Sequence, residues 1–132
     1  MDNENKVLDV IKLKNIISDI IIGDEGISFD DIKIEHAHSQ DCCENVYADW
    51  SHVEMYKKDL EEKGFENLVI KLVEGEGLLL CFLNKWDDGV KIFIPCYNYQ
   101  NGYYSDNLDL LITKGEITKA INIQDAIEHH ID

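Results

Sequence analysis

Two apolar runs, GLLLCFLNKW and GVKIFIPCYNY, meet around Asp87, Asp88 and Gly89. Strand-like runs separated by an Asp-Gly turn form a strong hairpin signal. That hairpin constrains the fold more than any other stretch, because it commits the second half of the chain to antiparallel sheet. ENLVIKLVE just before it and DNLDLLIT after it read as further strands.

The first half is more mixed. Residues 6 to 22 are β-branched with partial helical spacing, and Asn15 to Ile22 is read as a strand because Ile is frequent and Gly23 ends the run. IGDEGISF reads as a turn and a second strand. DIKIEHAH is a third, with Ile32, Ile34, His36 and His38 toward one face. HSQDCCENVYADW follows as a turn and then a short helix or strand. Residues 52 to 63 read as a helix: Val53, Tyr56 and Leu60 share a face, and Gly64 is a natural stop. QDAIEHHI is a short C-terminal helix candidate. The expected fold class is therefore α+β, mainly antiparallel β-sheet with one central helix and a short C-terminal helix. One domain is expected across residues 1–132, with 1–6 flexible.

Hydrophobic residues make up 45% of the chain, enough for a core. The longest apolar runs are far short of a membrane span. MDNENK lacks the basic and apolar regions of a secretory signal, so the expected location is cytoplasmic. Twelve basic residues oppose 27 acidic ones, for a net charge of −15. Every basic residue is Lys; there is no Arg. A phosphate backbone would be repelled, and the residue best suited to forked phosphate contacts is missing. Direct nucleic-acid binding and membrane binding are not expected, whereas a basic protein partner would be attracted and steered. GDEG and EGEG carry acids where a phosphate loop would need none.

HSQDCCE, residues 38 to 44, concentrates reactive side chains. With His36 it offers a candidate zinc set: His36, His38, Cys42 and Cys43. Their spacing matches no common zinc framework, and adjacent cysteines point apart in regular backbone, so the expectation is no cofactor, with zinc as the alternative. A disulfide between neighbours Cys42 and Cys43 would be strained. A cysteine hydrolase built from Cys43, His38 and Asp41 has the right residue types, but they crowd into six residues without an oxyanion hole. An enzyme is not expected. The competing reading is a structural corner, where Asp41 accepts main-chain N–H groups and one cysteine faces inward. Cys81, inside LLLCFL, reads as a small buried hydrophobe. NGYYSD, residues 101 to 106, adds Tyr103 and Tyr104 to the nearby Tyr97 and Tyr99. Clustered aromatics among acids suit protein recognition, against the plainer alternative that the rings fill the sheet. The protein-binding candidates are thus Asp41, Glu44, Tyr99, Tyr103, Tyr104 and Asp106.

His38, Gln40, Asp41, Cys42, Cys43, Glu44 and Val46, followed by Asn101, Gly102, Tyr103, Tyr104 and Ser105, carry a resemblance. The chain resembles a family of small bacterial and phage domains of unknown function. These have an H-x-Q-D-C-C-E-x-V-like stretch after the first strands and an S-N-G-Y-Y-S-like turn in a β-rich second half. The match runs over residues 15 to 112, with Gln100 in place of the turn's first Ser and an apparent lengthening from His52 to Gly64. It implies the fold and a mobile-element origin, and no reaction. With the charge, it leads to the expectation of a non-enzymatic acidic protein-binding domain. The sharper form is an inhibitor of a basic nucleic-acid-binding protein, of the toxin-immunity or phage anti-defence type; the alternatives are a metal-binding or thiol-based domain or a cysteine-dependent enzyme.

Overall fold

The computed structural model describes residues 6–14, 16–37, 45–73, 76–99 and 108–123. The hairpin is formed by β7 (Gly77–Leu83) and β8 (Gly89–Tyr99). Leu78 sits opposite Ile94 and Leu80 opposite Ile92. All four are at most 1% exposed, so these cross-strand pairs are core contacts. Asn84 organises the turn: its Oδ1 accepts the N–H of Trp86 at 2.8 Å and of Asp88 at 3.2 Å. Asp87 takes the left-handed conformation at φ 58°, which Asp tolerates better than most residues. Asp87 and Asp88 are turn formers, and Asn84 is the anchor that the Asp-Asp-Gly pattern did not reveal.

Among the described residues the strands form two five-stranded antiparallel sheets. The first runs β1 (Lys6–Lys12), β6 (Asn67–Val73), β7, β8, β5 (Asn45–Ala48). The second runs β10 (Ile117–Ile123), β9 (Leu108–Lys114), β4 (Ile32–Ala37), β3 (Gly26–Phe29), β2 (Ile21–Ile22). Period-two alternation turns Leu68 and Ile70 of β6, and Ile32 and Ile34 of β4, into one shared core. The sheets touch there through Phe29 and Phe82.

The edges of the sheets are tied by side chains. On one side Lys119 Nζ pairs with Asp9 Oδ1 at 3.0 Å, and Lys114 Nζ donates to the Lys12 carbonyl at 3.0 Å, joining the β9–β10 hairpin to β1. On the other side the Ile20 N–H, just ahead of β2, donates to Glu61 Oε2 at 3.0 Å. The Ala48 N–H of edge strand β5 donates to His36 Nδ1 at 3.4 Å. Unpaired edge groups invite wrong pairings, and these contacts occupy them.

The expected helix is present in two parts. A 3-10 helix spans Trp50–Tyr56 and α1 spans Lys57–Glu62, with Val53 and Leu60 fully buried as their spacing requires. Of the strand expected over Asn15 to Ile22, Asn15 lies outside the described residues, and residues 16–22 form a strand only at Ile21–Ile22. Asp19 at φ 53° breaks the extended run, and Ile17 and Ile20 reach the core from irregular backbone. A strand that the pattern did not single out spans Lys6–Lys12; the rest of the span expected to be flexible, residues 1–5, lies outside the described residues. Strand β10 was not anticipated, because Thr118, Lys119 and Ala120 are exposed and dilute its pattern. The expected C-terminal helix lies outside the described residues. No helix among the described residues is long and apolar enough to cross a membrane.

Candidate functional site

The segments Ile22–Glu25 and Tyr47–Ser51 face each other across a cleft of about 600 Å³, on the side where edges β2 and β5 lie. His36 forms part of its wall, and Glu54 of the 3-10 helix completes the rim. Four carboxylates line it: Asp24, Glu25, Asp49 and Glu54. Among the described residues no lysine amine pairs with any of them. Tyr47 and Trp50 supply aromatic lining. Tyr47 packs against Tyr97 of β8, ring centroids 5.4 Å apart, so Tyr97 fills sheet surface behind the cleft.

His36 continues the inward face of β4 beyond Ile32 and Ile34, as its spacing predicts. Its Nδ1 accepts the indole N–H of Trp50 at 2.9 Å and the main-chain N–H of Ala48 at 3.4 Å. The ring planes lie within 1° of each other with centroids 6.4 Å apart. With a nitrogen–nitrogen contact that short, the rings meet edge to edge in one plane, along the direction of both the N–H bond and the lone pair. Indole nitrogen only donates, so Nδ1 must carry the lone pair and a neutral His36 carries its proton on Nε2.

Asp49 caps the 3-10 helix. Its Oδ1 accepts from the Ser51 N–H at 3.1 Å and the Ser51 hydroxyl at 2.6 Å. The Ser51 hydroxyl contact is the main reason its carboxyl titrates below the ordinary range; the Ser51 amide and nearby His52 add to it, and partial burial opposes them. Asp49 is therefore a carboxylate at neutral pH.

Cys81 and Cys96 are free and buried. Burial pushes the Cys96 thiol up to about 12 and raises that of Cys81 despite Lys71 and Lys91 nearby. Neither is a nucleophile at neutral pH; both serve as core.

Of the metal candidates only His36 is described, and its Nδ1 is committed to two donors. His38, Cys42 and Cys43 lie outside the described residues, as do Asp41, Glu44, Tyr103, Tyr104 and Asp106. Tyr99 ends β8 opposite Asn45. Among the described residues no group of three or more His, Cys, Asp or Glu is arranged to hold a metal. The topology still relates the two motif-bearing segments. Ala37 pairs with Asp109 in one sheet and Asn45 with Tyr99 in the other. HSQDCCE therefore lies between β4 and β5, and NGYYSD between β8 and β9, so both connections link the same two pairs of neighbouring strands.

Sequence reading missed Asp24, Glu25, Asp49, Glu54 and Trp50 as site residues. The usable signal was Asp49 ahead of Trp50 and Ser51, an N-cap pattern. Comparison with protein-family models, with curated proteins and with solved structures gave no match.

Proposed function

We propose that the chain is a non-enzymatic acidic binding domain that docks on a basic protein surface. The observation that carries this reading is the cleft between β2 and β5. Asp24, Glu25, Asp49 and Glu54 line it, and none is neutralised by a lysine among the described residues. Carboxylates left unpaired at a concave surface focus negative potential, and a net charge of −15 adds long-range steering of a cationic partner. The edge N–H of Ala48 is already occupied by His36, which leaves the carboxylate side chains as the recognition groups of the cleft. The sharper form is inhibition: the acidic face covers a basic nucleic-acid-binding surface, as a toxin-immunity or phage anti-defence protein would. The resemblance of HSQDCCE and NGYYSD to small bacterial and phage domains supports that form.

The test is capture of partners from the native host, followed by a salt titration of the complex. A basic partner whose affinity falls steeply as salt rises is expected. Capture of no partner, or binding indifferent to salt, would overturn the reading.

A further inference from the structure

We propose that the outer face of the first sheet is a docking surface separate from the cleft, and that its occupant is an acidic amphipathic helix of a partner protein. The proposal stands whether or not the cleft takes a basic partner. Strand β7 reads GLLLCFL, with no polar side chain. A strand with one solvated face alternates apolar and polar residues; a continuous apolar run belongs to a strand covered on both faces. Leu78, Leu80 and Phe82 face the shared core, and Leu79 and Cys81 alternate onto the opposite face. Cross-strand pairing carries that outer face over four strands. Val10, Val69, Cys81 and Lys91 form one row, and Val7, Lys71, Leu79 and Phe93 the next. Val7 and Val10 are 50% and 56% exposed, and Val69, Leu79 and Phe93 are half-buried. Cys81, in the middle, is 1% exposed, so the side chains around it are already packed before anything docks.

Charge decides the occupant. Strands β1, β6, β7 and β8 carry Lys6, Lys12, Lys71 and Lys91 against a single acid, Asp9, which Lys119 already pairs. In a chain with 27 acidic and 12 basic residues, this sheet is locally cationic. Lys71 and Lys91 stand within the two rows, and neither has an ion pair or hydrogen bond among the described residues. Both act on the Cys81 thiol, which puts the two ammonium groups around one apolar centre. A second copy laid face to face would set lysine against lysine. An anionic membrane is an extended surface that would repel the rest of a chain of net charge −15. A helix is narrow, and screening within about 8 Å lets it respond to the two lysines rather than to the whole chain. Lys71 and Lys91 are two strands and two residues apart, about 12 Å between Cα atoms. Glutamates seven residues apart lie on one side of a helix, about 10 Å apart along its axis. The flexible lysine side chains can reach both, while leucines between them cover Val69, Cys81 and Leu79.

The experiment uses the full chain and, as probe, a fluorescein-labelled helical peptide of about 18 residues with leucine on one stripe and glutamate elsewhere. Anisotropy reads binding, 1H–15N spectra locate it, and an unfolding midpoint is taken for each variant. The amide resonances of Val10, Val69, Leu79 and Phe93 should shift, and a scrambled peptide of the same composition should bind about tenfold more weakly. The double variant Lys71→Glu, Lys91→Glu should lose about tenfold in affinity. The control Lys58→Glu, Lys63→Glu changes net charge equally, on and just after α1, and should bind within about twofold of wild type. Val10→Ser removes apolar surface at an exposed position and should weaken binding about threefold with its midpoint little changed.

No binding by wild type, or shifts confined to other surfaces, would overturn the proposal. So would equal losses in the two double variants, or losses that merely track a lower midpoint. Three further outcomes would replace the helix by another occupant and overturn the proposal too. Shifts of the same amides on dilution would point to a second copy. Tighter peptide binding after Asp125→Asn, Glu128→Gln and Asp132→Asn would point to the chain's own acidic end. Tighter binding to phosphatidylcholine–phosphatidylserine vesicles than to the peptide would point to a membrane.

Discussion

The ring of Phe29 in one sheet meets that of Phe82 in the other, centroids 6.0 Å apart at 56°. Phe82 also meets Phe65, again at 6.0 Å, so one side chain joins both sheets to the segment leading into β6. Phe82→Ala should cost about 3–5 kcal/mol in denaturant unfolding. Phe29→Ala and Phe82→Ala together should cost less than the sum of the two, because either change alone already removes the whole of the contact they share. Strict additivity would mean that the rings do not hold the sheets together.

Asp49→Ala should lower stability by about 1 kcal/mol, and Asp49→Asn by much less, since asparagine caps nearly as well. The depressed titration of Asp49 gives a sign for pH. Its contribution is complete above the unfolded carboxyl value and is lost as pH falls through the lower folded value. Ser51→Ala removes the largest cause and should move the Asp49 carboxyl resonance to a higher titration midpoint.

The buried thiols act in the opposite pH range. Burial holds the Cys96 thiol neutral up to about 12, against 9.0 for an ordinary thiol, so its contribution is complete below about 9 and is lost as pH rises toward 12. In a Cys42→Ser, Cys43→Ser background, the disulfide reagent DTNB at pH 8 should label Cys81 and Cys96 only as fast as the protein opens. Rapid stoichiometric labelling of the folded chain would contradict their burial.

Gly77→Ala should be clearly destabilising, by more than about 1 kcal/mol. Its φ is 157°, and a Cβ there would overlap the Ile94 carbonyl oxygen across the hairpin. Gly23→Ala is the control. Its nearest neighbour, the Gly26 carbonyl oxygen, lies 3.8 Å from the added atom, so thermal unfolding should be little changed.

The two tryptophans should separate cleanly in fluorescence. Trp50 is 1% exposed and Trp86 is 75% exposed at the hairpin tip. Trp86→Phe should leave a blue-shifted emission and change stability by no more than about 0.5 kcal/mol. Emission that stays red-shifted would place Trp50 in water.

The hairpin was legible in the sequence because two long apolar runs enclosed a turn of the right residues, and local chemistry alone decides such a unit. The face of the helix was legible for the same reason through Val53 and Leu60. The stretch around Ile17 and Ile20 misled because its isoleucines are core residues on irregular backbone, and composition does not distinguish that from a strand. The cleft was hidden for a different reason. Asp24 and Glu25 lie in one turn and Asp49 and Glu54 in another segment, and only the packing of one sheet against the other brings them face to face. His36 was noticed for its metal chemistry, while its described contacts are to an indole and a peptide N–H that no local pattern announces.

The side-chain closures at the sheet edges carry an evolutionary consequence. A β-rich domain that recognises partners by lending an edge strand ties its specificity to its own ladder, and drift in one disturbs the other. Here Glu61 takes the Ile20 N–H and His36 the Ala48 N–H on the open side, and the lysine contacts of β9 and β10 fasten the other. The acids of the cleft stand on exposed turns and a helix surface, apart from the ladders. Heritable change can rewrite Asp24, Glu25 and Glu54 one at a time, altering the charge of the cleft while the sheets beneath remain the same.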